Sequence, residues 1–264
     1  MAEQDLVLLE RLGRTVRLTL NRPEQLNPLD RNTLRRLKEL VLALEDDAGL
    51  RSVIVTGQGR AFSAGGDLKG YLSLYRQPAA FRAFLQDFDA LCAAIEASAK
   101  VYIAAINGLT VAGGLELMLA CDVVLAAEDA RIGDGHSNFA QLPGAGGSQR
   151  LPRAIGALRA KRLLLTGELL PAAEAERIGL VTAVVPADAL ASESLAWAER
   201  LAEKSGACLK GAKYLVNEGM LRPFPDALRM EQDYVYAYAT GDPDATEGLN
   251  AFAEKRPPRY RELD

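Results

Sequence analysis

Along the chain, apolar positions alternate between a period of two and a period of three to four. Val16-Arg17-Leu18-Thr19-Leu20 alternates apolar and polar residues, as a half-buried strand does, and Asn21-Arg22-Pro23 ends it. From about Leu29 to Leu44, the positions Leu34, Leu37, Val41 and Leu44 fall at steps of three and four, which predicts an amphipathic helix. Ser52-Val53-Ile54-Val55-Thr56-Gly57 predicts a buried strand, Phe81 to Ala97 a helix, and Val101-Tyr102-Ile103-Ala104-Ala105-Ile106 a further strand. Leu115 to Cys121 predicts a short buried helix, with strands at Val123–Ala126 and Val181–Val185. After Pro186 the composition turns to Ala, Glu, Leu and Lys, with helical patterning through about Tyr238 and a proline-rich end at Pro257-Pro258. Strands and helices thus alternate, the mark of an α/β fold, followed by a helical C-terminal region.

Alternation by itself suggests a doubly wound sheet. No G-x-G-x-x-G follows the first strand, however, and no G-x-x-x-x-G-K-[ST] occurs anywhere, which disfavours Rossmann and P-loop nucleotide enzymes. At 264 residues the chain is long enough for one large domain, or one domain with an appendage. Apolar residues at 49% and charged residues at 25% are ordinary for a folded globular protein. A net charge of −4 and a pI near 5.3 exclude a broad basic field, so no nucleic-acid partner is expected. Cys92, Cys121 and Cys208 form no C-x-x-C pair, so neither a zinc site nor a disulfide framework is indicated. The N-terminus is acidic where a secretory signal is basic, and the apolar region Leu109 to Cys121 is interrupted by Glu116. The expectation is a soluble, cytoplasmic protein with no membrane partner.

Two glycine-bearing segments carry the candidate chemistry: Ala61-Phe62-Ser63-Ala64-Gly65-Gly66-Asp67-Leu68 and Asn107-Gly108-Leu109-Thr110-Val111-Ala112-Gly113-Gly114-Leu115-Glu116-Leu117. In each, a strand-like run gives way to a helix at glycines, where backbone N–H groups are left unspent. Two such donors can hold one developing oxyanion, the need of an enzyme that stabilises a thioester enolate. Glu116 lies in an apolar setting, where burial raises a carboxyl pKa and a helix N-terminus lowers it. It reads either as a helix-start carboxylate or as a proton-transfer group. His136, the only histidine, sits in the polar run Gly133-Asp134-Gly135-His136-Ser137-Asn138, with Asp134 as an orienting carboxylate or an independent acid.

These segments, from Asn21-Arg22-Pro23 through Pro143-Gly144-Ala145-Gly146-Gly147-Ser148-Gln149-Arg150-Leu151 to Phe252-Ala253-Glu254-Lys255-Arg256, resemble the crotonase, or enoyl-CoA hydratase/isomerase, superfamily. The resemblance implies a crotonase-like spiral of ββα units over residues 1–190, holding an acyl-CoA site, and a helical oligomerisation region over 191–264. It implies a homotrimer or a dimer of trimers, and no cofactor beyond the coenzyme A carried by the substrate. Gly66 and Gly113 become the two oxyanion donors, and Glu116 falls on the first of two hydratase glutamates. Ala64, Gly66, Asp67, Leu68, Lys69 and Gly113, with Phe252 and Lys255 from the C-terminal segment, become contacts to the acyl-CoA.

The chain departs from the family pattern at the second glutamate, where ungapped counting puts His136. An imidazolium there can give a proton to the substrate α carbon while Glu116 activates water, since imidazole titrates near pH 6.5 in the absence of perturbation. Loss of that glutamate argues against a simple double-bond isomerase. Three readings stay open: an enoyl-CoA hydratase or lyase, an acyl-CoA or β-diketone hydrolase, and a non-catalytic acyl-CoA or RNA binder.

Overall fold

The structure, a computed structural model, describes residues 6–262. Strands β1 (Val7–Leu12) and β2 (Thr15–Leu20) form an antiparallel hairpin, with Gly13 at φ +62° in its turn. Helix α1 (Arg31–Glu45) follows, started by Asp30, whose side chain accepts the Thr33 N–H at 2.9 Å. It buries Leu34, Leu37, Val41 and Leu44, the face its spacing predicts.

Three turns of a spiral then build the core. The first is β3 (Ser52–Gly57), β4 (Ala61–Ser63), α2 (Leu68–Leu74) and α3 (Pro78–Ala97). The second is β5 (Val101–Ile106), β6 (Leu109–Val111) and α4 (Gly113–Leu119), and the third β7 (Val123–Ala127), β8 (Arg131–Gly133), α5 (Gly147–Ile155) and α6 (Ala157–Thr166). In each turn the first strand joins a six-stranded sheet of order β1-β2-β3-β5-β7-β10, and the second joins a four-stranded sheet of order β4-β6-β8-β9. Pairing of β3 with β5, β5 with β7, β4 with β6 and β6 with β8 is parallel. This is the ββα spiral that the family resemblance implies. Strand β9 (Leu169–Pro171), helix α7 (Ala172–Arg177) and strand β10 (Ala183–Val185) close the two sheets.

The continuous apolar runs are explained by burial on both faces of the larger sheet. Ile54, Ile103, Ala105, Leu125 and Ala127 pack against Leu190 and Ala198 of α8 (Leu190–Ala202). The alternate residues Val53, Val55, Tyr102, Ala104, Ile106, Val124 and Ala126 face the main core. Each fully buried Ile, Leu or Val there contributes about 1.5–3 kcal/mol relative to exposure.

Helices α9 (Gly206–Gly219), α10 (Phe224–Gly241) and α11 (Pro243–Ala253) complete the chain. Helical structure therefore runs past Tyr238 to Ala253. Asp242 caps α11 by accepting the Asp244 N–H, and Pro243 takes a first-turn position, so the proline restarts the helix instead of ending it. Among the described residues, no helix is long and apolar enough to cross a membrane.

Candidate active site

The two glycine loops meet. After β4, Ser63 Oγ accepts the Gly65 N–H and donates to the Asn27 carbonyl, while Leu29 N–H bonds Gly65 O and Ala64 N–H bonds Leu26 O. Gly65 has φ +87°, and a Cβ there would stand 2.8 Å from Ala112 Cβ and 2.9 Å from the Gly113 nitrogen. A Cβ on Gly114 would stand 2.4 Å from the Ser63 carbonyl, so α4 starts directly against β4. Ala112 adopts φ +54°, ψ −118°, a region non-glycine residues avoid, and its conformation turns the chain from β6 into α4. Neither the Gly66 nor the Gly113 N–H donates to any acceptor among the described residues, although Gly113 is buried.

Glu116, on the first turn of α4, is 2% exposed. Its Oε1 accepts the Ala145 N–H at 2.7 Å and the Gly147 N–H at 2.8 Å. Burial pushes its pKa above the usual carboxylate range; the Gly147 and Ala145 N–H groups, then the charge of His136, pull it back. No hydrogen-bond partner engages Oε2 among the described residues. The helix-start reading of Glu116 therefore gives way: its side chain bonds a distant loop, not the free N–H groups of its own helix.

His136 opens a short 3-10 turn after β8. Its Nδ1 lies 2.9 Å from Asp134 Oδ2, and the other Asp134 oxygen accepts the His136 backbone N–H at 3.2 Å. Asp134 is fully buried and the His136 side chain is 13% exposed. Both Asp134 oxygens thus engage His136, the arrangement of an orienting carboxylate. With Nδ1 so engaged, Nε2 is the ring nitrogen left for chemistry, and His136 is close enough to Glu116 to bias its charge.

Asp67 caps α2 through the Lys69 N–H at 3.1 Å, bracing its loop. Ala64 is half-buried, while Leu68 and Lys69 are exposed beside it. Phe252 and Lys255 lie elsewhere in this chain. Helix α11 is tied to the start of β3, where Arg261 O accepts from Arg51 and Arg261 N–H bonds Asp244, whereas the glycine loop follows the strand's other end. The structure brings Gly66, Gly113, Glu116, His136 and Asp134 together, and leaves those two residues apart from them.

Tyr71, a residue expected to shape the pocket, takes an orientation that the sequence leaves open. A Cβ on Gly66 would stand 1.9 Å from the Tyr71 hydroxyl, so that hydroxyl rests over the glycine. The Tyr71 ring stacks on Tyr75 and meets Phe84 edge-on. It also lines a cavity of about 550 Å³ shared by Asp30, Arg31, Leu74 and Phe84 between α1, α2 and α3. Burial, with help from Tyr75 and Glu116, holds its phenol well above the usual range, so it stays neutral. The run Tyr71 to Tyr75 signals an aromatic wall in sequence; which ring points inward is set by packing on α3.

Residues 13–263 match the model of the enoyl-CoA hydratase/isomerase family. The chain belongs to this family. As a crotonase-superfamily member it is 40% identical over 255 residues to a Mycobacterium tuberculosis protein named probable enoyl-CoA hydratase, covering 96% of this chain and 97% of that one. It is 37% identical over 252 residues to the crotonyl-CoA hydratase of Syntrophomonas wolfei, covering 95% of each. Among solved structures it resembles the enoyl-CoA hydratase of Bacillus anthracis, with a TM-score of 0.92 and 36% identity over 97% of this chain and 99% of that one. The crotonase fold and an enoyl-CoA hydratase-like enzyme class follow from family membership.

Proposed function

We propose that this enzyme adds water across the double bond of an enoyl-CoA. The thioester oxygen sits between the Gly66 and Gly113 N–H groups, which take up its negative charge as the enolate forms. Glu116, through Oε2, removes a proton from water as its oxygen bonds to the β carbon. Protonated His136, steadied by Asp134, gives a proton to the α carbon. The product is the 3-hydroxyacyl-CoA, and a proton passing from Glu116 back to His136 through solvent resets both groups. The observation that carries this reading is the abutment of two glycine loops whose Gly66 and Gly113 N–H groups have no acceptor among the described residues. Such donors act strongly in a water-poor site, each worth about 10²–10³-fold in rate in other enzymes.

Coenzyme A needs no separate cofactor beside it. Lys69, exposed next to the Asp67-Leu68 cap, suits its phosphates, with Ala64 and Leu68 along the thioester arm. Phe252 and Lys255, far from this chain's own loops, fit a role at a neighbouring subunit's coenzyme. Exposed Val216, Met220, Leu221, Phe224, Tyr236 and Leu249 on and between α9, α10 and α11 support self-association, as a homotrimer or a dimer of trimers.

The His136–Asp134 pair supports a second reading, hydrolysis, because an oriented imidazole can activate water against a carbonyl. Incubation with crotonyl-CoA separates the two. Hydration removes the enoyl thioester absorbance without releasing thiol and yields 3-hydroxybutyryl-CoA. Release of free coenzyme A overturns hydration in favour of hydrolysis, and tight binding without either change leaves a non-catalytic binder.

A further inference from the structure

The loop that holds Glu116 is itself held from behind. Arg150, on α5, donates from Nη1 to the Ala145 carbonyl at 2.8 Å, and grips Glu96 with two parallel bonds, Nε to Oε1 at 2.6 Å and Nη2 to Oε2 at 2.8 Å. This planar fork matched to a carboxylate is a geometry that arginine alone among the cations offers. Gly146, between the two residues whose N–H groups reach Glu116, has φ +99°, and a Cβ on it would lie 1.9 Å from Arg150 Nη1. Glycine is therefore required there twice over, for its backbone angle and for the guanidinium that fills the space. Glu96 stands near the end of α3, and its backbone carbonyl accepts Asn217 Nδ2 of α9 at 3.0 Å. A continuous set of hydrogen bonds thus runs from α9 through α3 and Arg150 to the 145–147 loop and on to Glu116.

We propose that Arg150, clamped by Glu96, is a positioning residue for Glu116: it fixes the 145–147 loop so that both N–H groups remain on Oε1 and Oε2 remains turned to the substrate. The inference rests on the reading of Glu116 as the base. The two N–H groups are the main counterweight to the burial of this carboxylate, and a loop released from Arg150 lets them withdraw. The other groups that bear on Glu116 are Tyr71 from α2, Cys92 from α3, and Asp134 and His136 from the segment after β8. None of them hydrogen-bonds Arg150, although Cys92 lies in the field of both Arg150 and Glu116, so the hydrogen-bonded route from Arg150 to Glu116 runs through the loop.

Arg150→Met keeps the stem and removes every donor, while Glu96→Gln weakens the clamp and leaves Arg150 in place. The measurement is the pH dependence of kcat/KM for crotonyl-CoA, whose acid limb reports Glu116 in the free enzyme on this reading. In Arg150→Met that limb moves up by about one pH unit, with kcat near neutrality down about tenfold and KM little changed. Glu96→Gln gives a smaller shift in the same direction and keeps the test open if the methionine variant does not fold. A ¹³C titration of the Glu116 carboxyl in the substrate-free enzyme, assigned with Glu116→Gln, moves by the same amount. If both variants lose only thermal stability, with the acid limb and the carboxyl titration at their wild-type positions, the positioning role is wrong. If instead Glu116→Gln turns over at the wild-type rate, the base assignment fails, a result the Arg150 variants cannot mimic.

Discussion

Helix α4 carries one buried carboxylate inside it, Glu116, and delivers a second just past its end, Asp122, whose side chain is 19% exposed. Burial pushes both upward in pKa, but the opposing groups differ. Asp122 Oδ2 accepts a full positive charge, Lys213 Nζ at 2.8 Å, together with the Tyr102 N–H at 2.8 Å. Lys213 reaches in from α9, lies over the Tyr102 ring, and also bonds the Ile95 and Lys100 carbonyls. Glu116 has two neutral N–H groups on one oxygen and, among the described residues, no hydrogen-bond partner on the other. A carboxylate answered by a cation fastens one element to another, and its loss leaves that cation without a partner. One bonded by dipoles, with no cation in hydrogen-bond contact, can still take and release a proton. On the proposed mechanism the same helix presents a structural carboxylate and a reactive one, and their partners tell them apart.

The comparison breaks if the two respond alike to loss of charge. Glu116→Gln should lower kcat/KM for enoyl-CoA hydration by about 10²–10⁴-fold, as expected for removal of a general base, while acyl-CoA still binds. The amide oxygen can keep accepting from Ala145 and Gly147, so the fold is retained. Asp122→Asn should do the reverse. Removing one partner of a largely buried pair costs about 3 kcal/mol and lowers Tm by roughly ten degrees, with kcat per folded molecule unchanged. Thermal unfolding beside steady-state kinetics checks both, and a large loss of turnover in folded Asp122→Asn would erase the distinction. Next in size, His136→Gln should lower turnover about 10–100-fold and remove the alkaline limb of the pH–rate profile. A profile unchanged in both limbs makes the histidine a bystander.

What sequence could announce divides along the same line. Gly65, Gly66, Gly113 and Gly114 are legible because a glycine at a strand-to-helix change acts locally; a Cβ would collide at Gly65, Gly66 and Gly114 and would press to 3.1 Å on Phe88 at Gly113. Strands β3, β5 and β7 are legible because burial on both faces writes a continuous apolar run. Strand β1 is not: it is an edge, with Val7 buried but Leu8 and Leu9 exposed, so no alternation marks it. Strands β4, β6 and β8, three residues each, are too short to show a period. Asp134 beside His136 was readable from two-residue spacing, whereas Arg150 and Glu96 are 54 residues apart and meet only through folding. Local geometry is written in local sequence; the long-range partners that tune a carboxylate are not.

The smallest effect concerns stability, and it sharpens the comparison most. A carboxyl whose pKa is raised by folding favours the folded state while it is protonated. That contribution is present below the unfolded-state pKa and is lost as pH rises through the folded-state value. Glu116 therefore weakens the fold at neutral pH by being ionised where burial disfavours charge. Replacing it with the neutral, similarly shaped Gln removes that penalty, so Glu116→Gln should raise Tm by a few degrees at neutral pH and less as pH falls toward the range where Glu116 is itself protonated. The Asp122 pKa is raised as well, so its own ionisation adds no stability at neutral pH; Asp122→Asn should lower Tm there because it strands the nearly buried Lys213 ammonium without its anion. A gain in Tm for Glu116→Gln beside a loss for Asp122→Asn at neutral pH is what a carboxylate held by dipoles and one that holds a cation require; equal signs in the melting curves would mean that the two are held by the same kind of force.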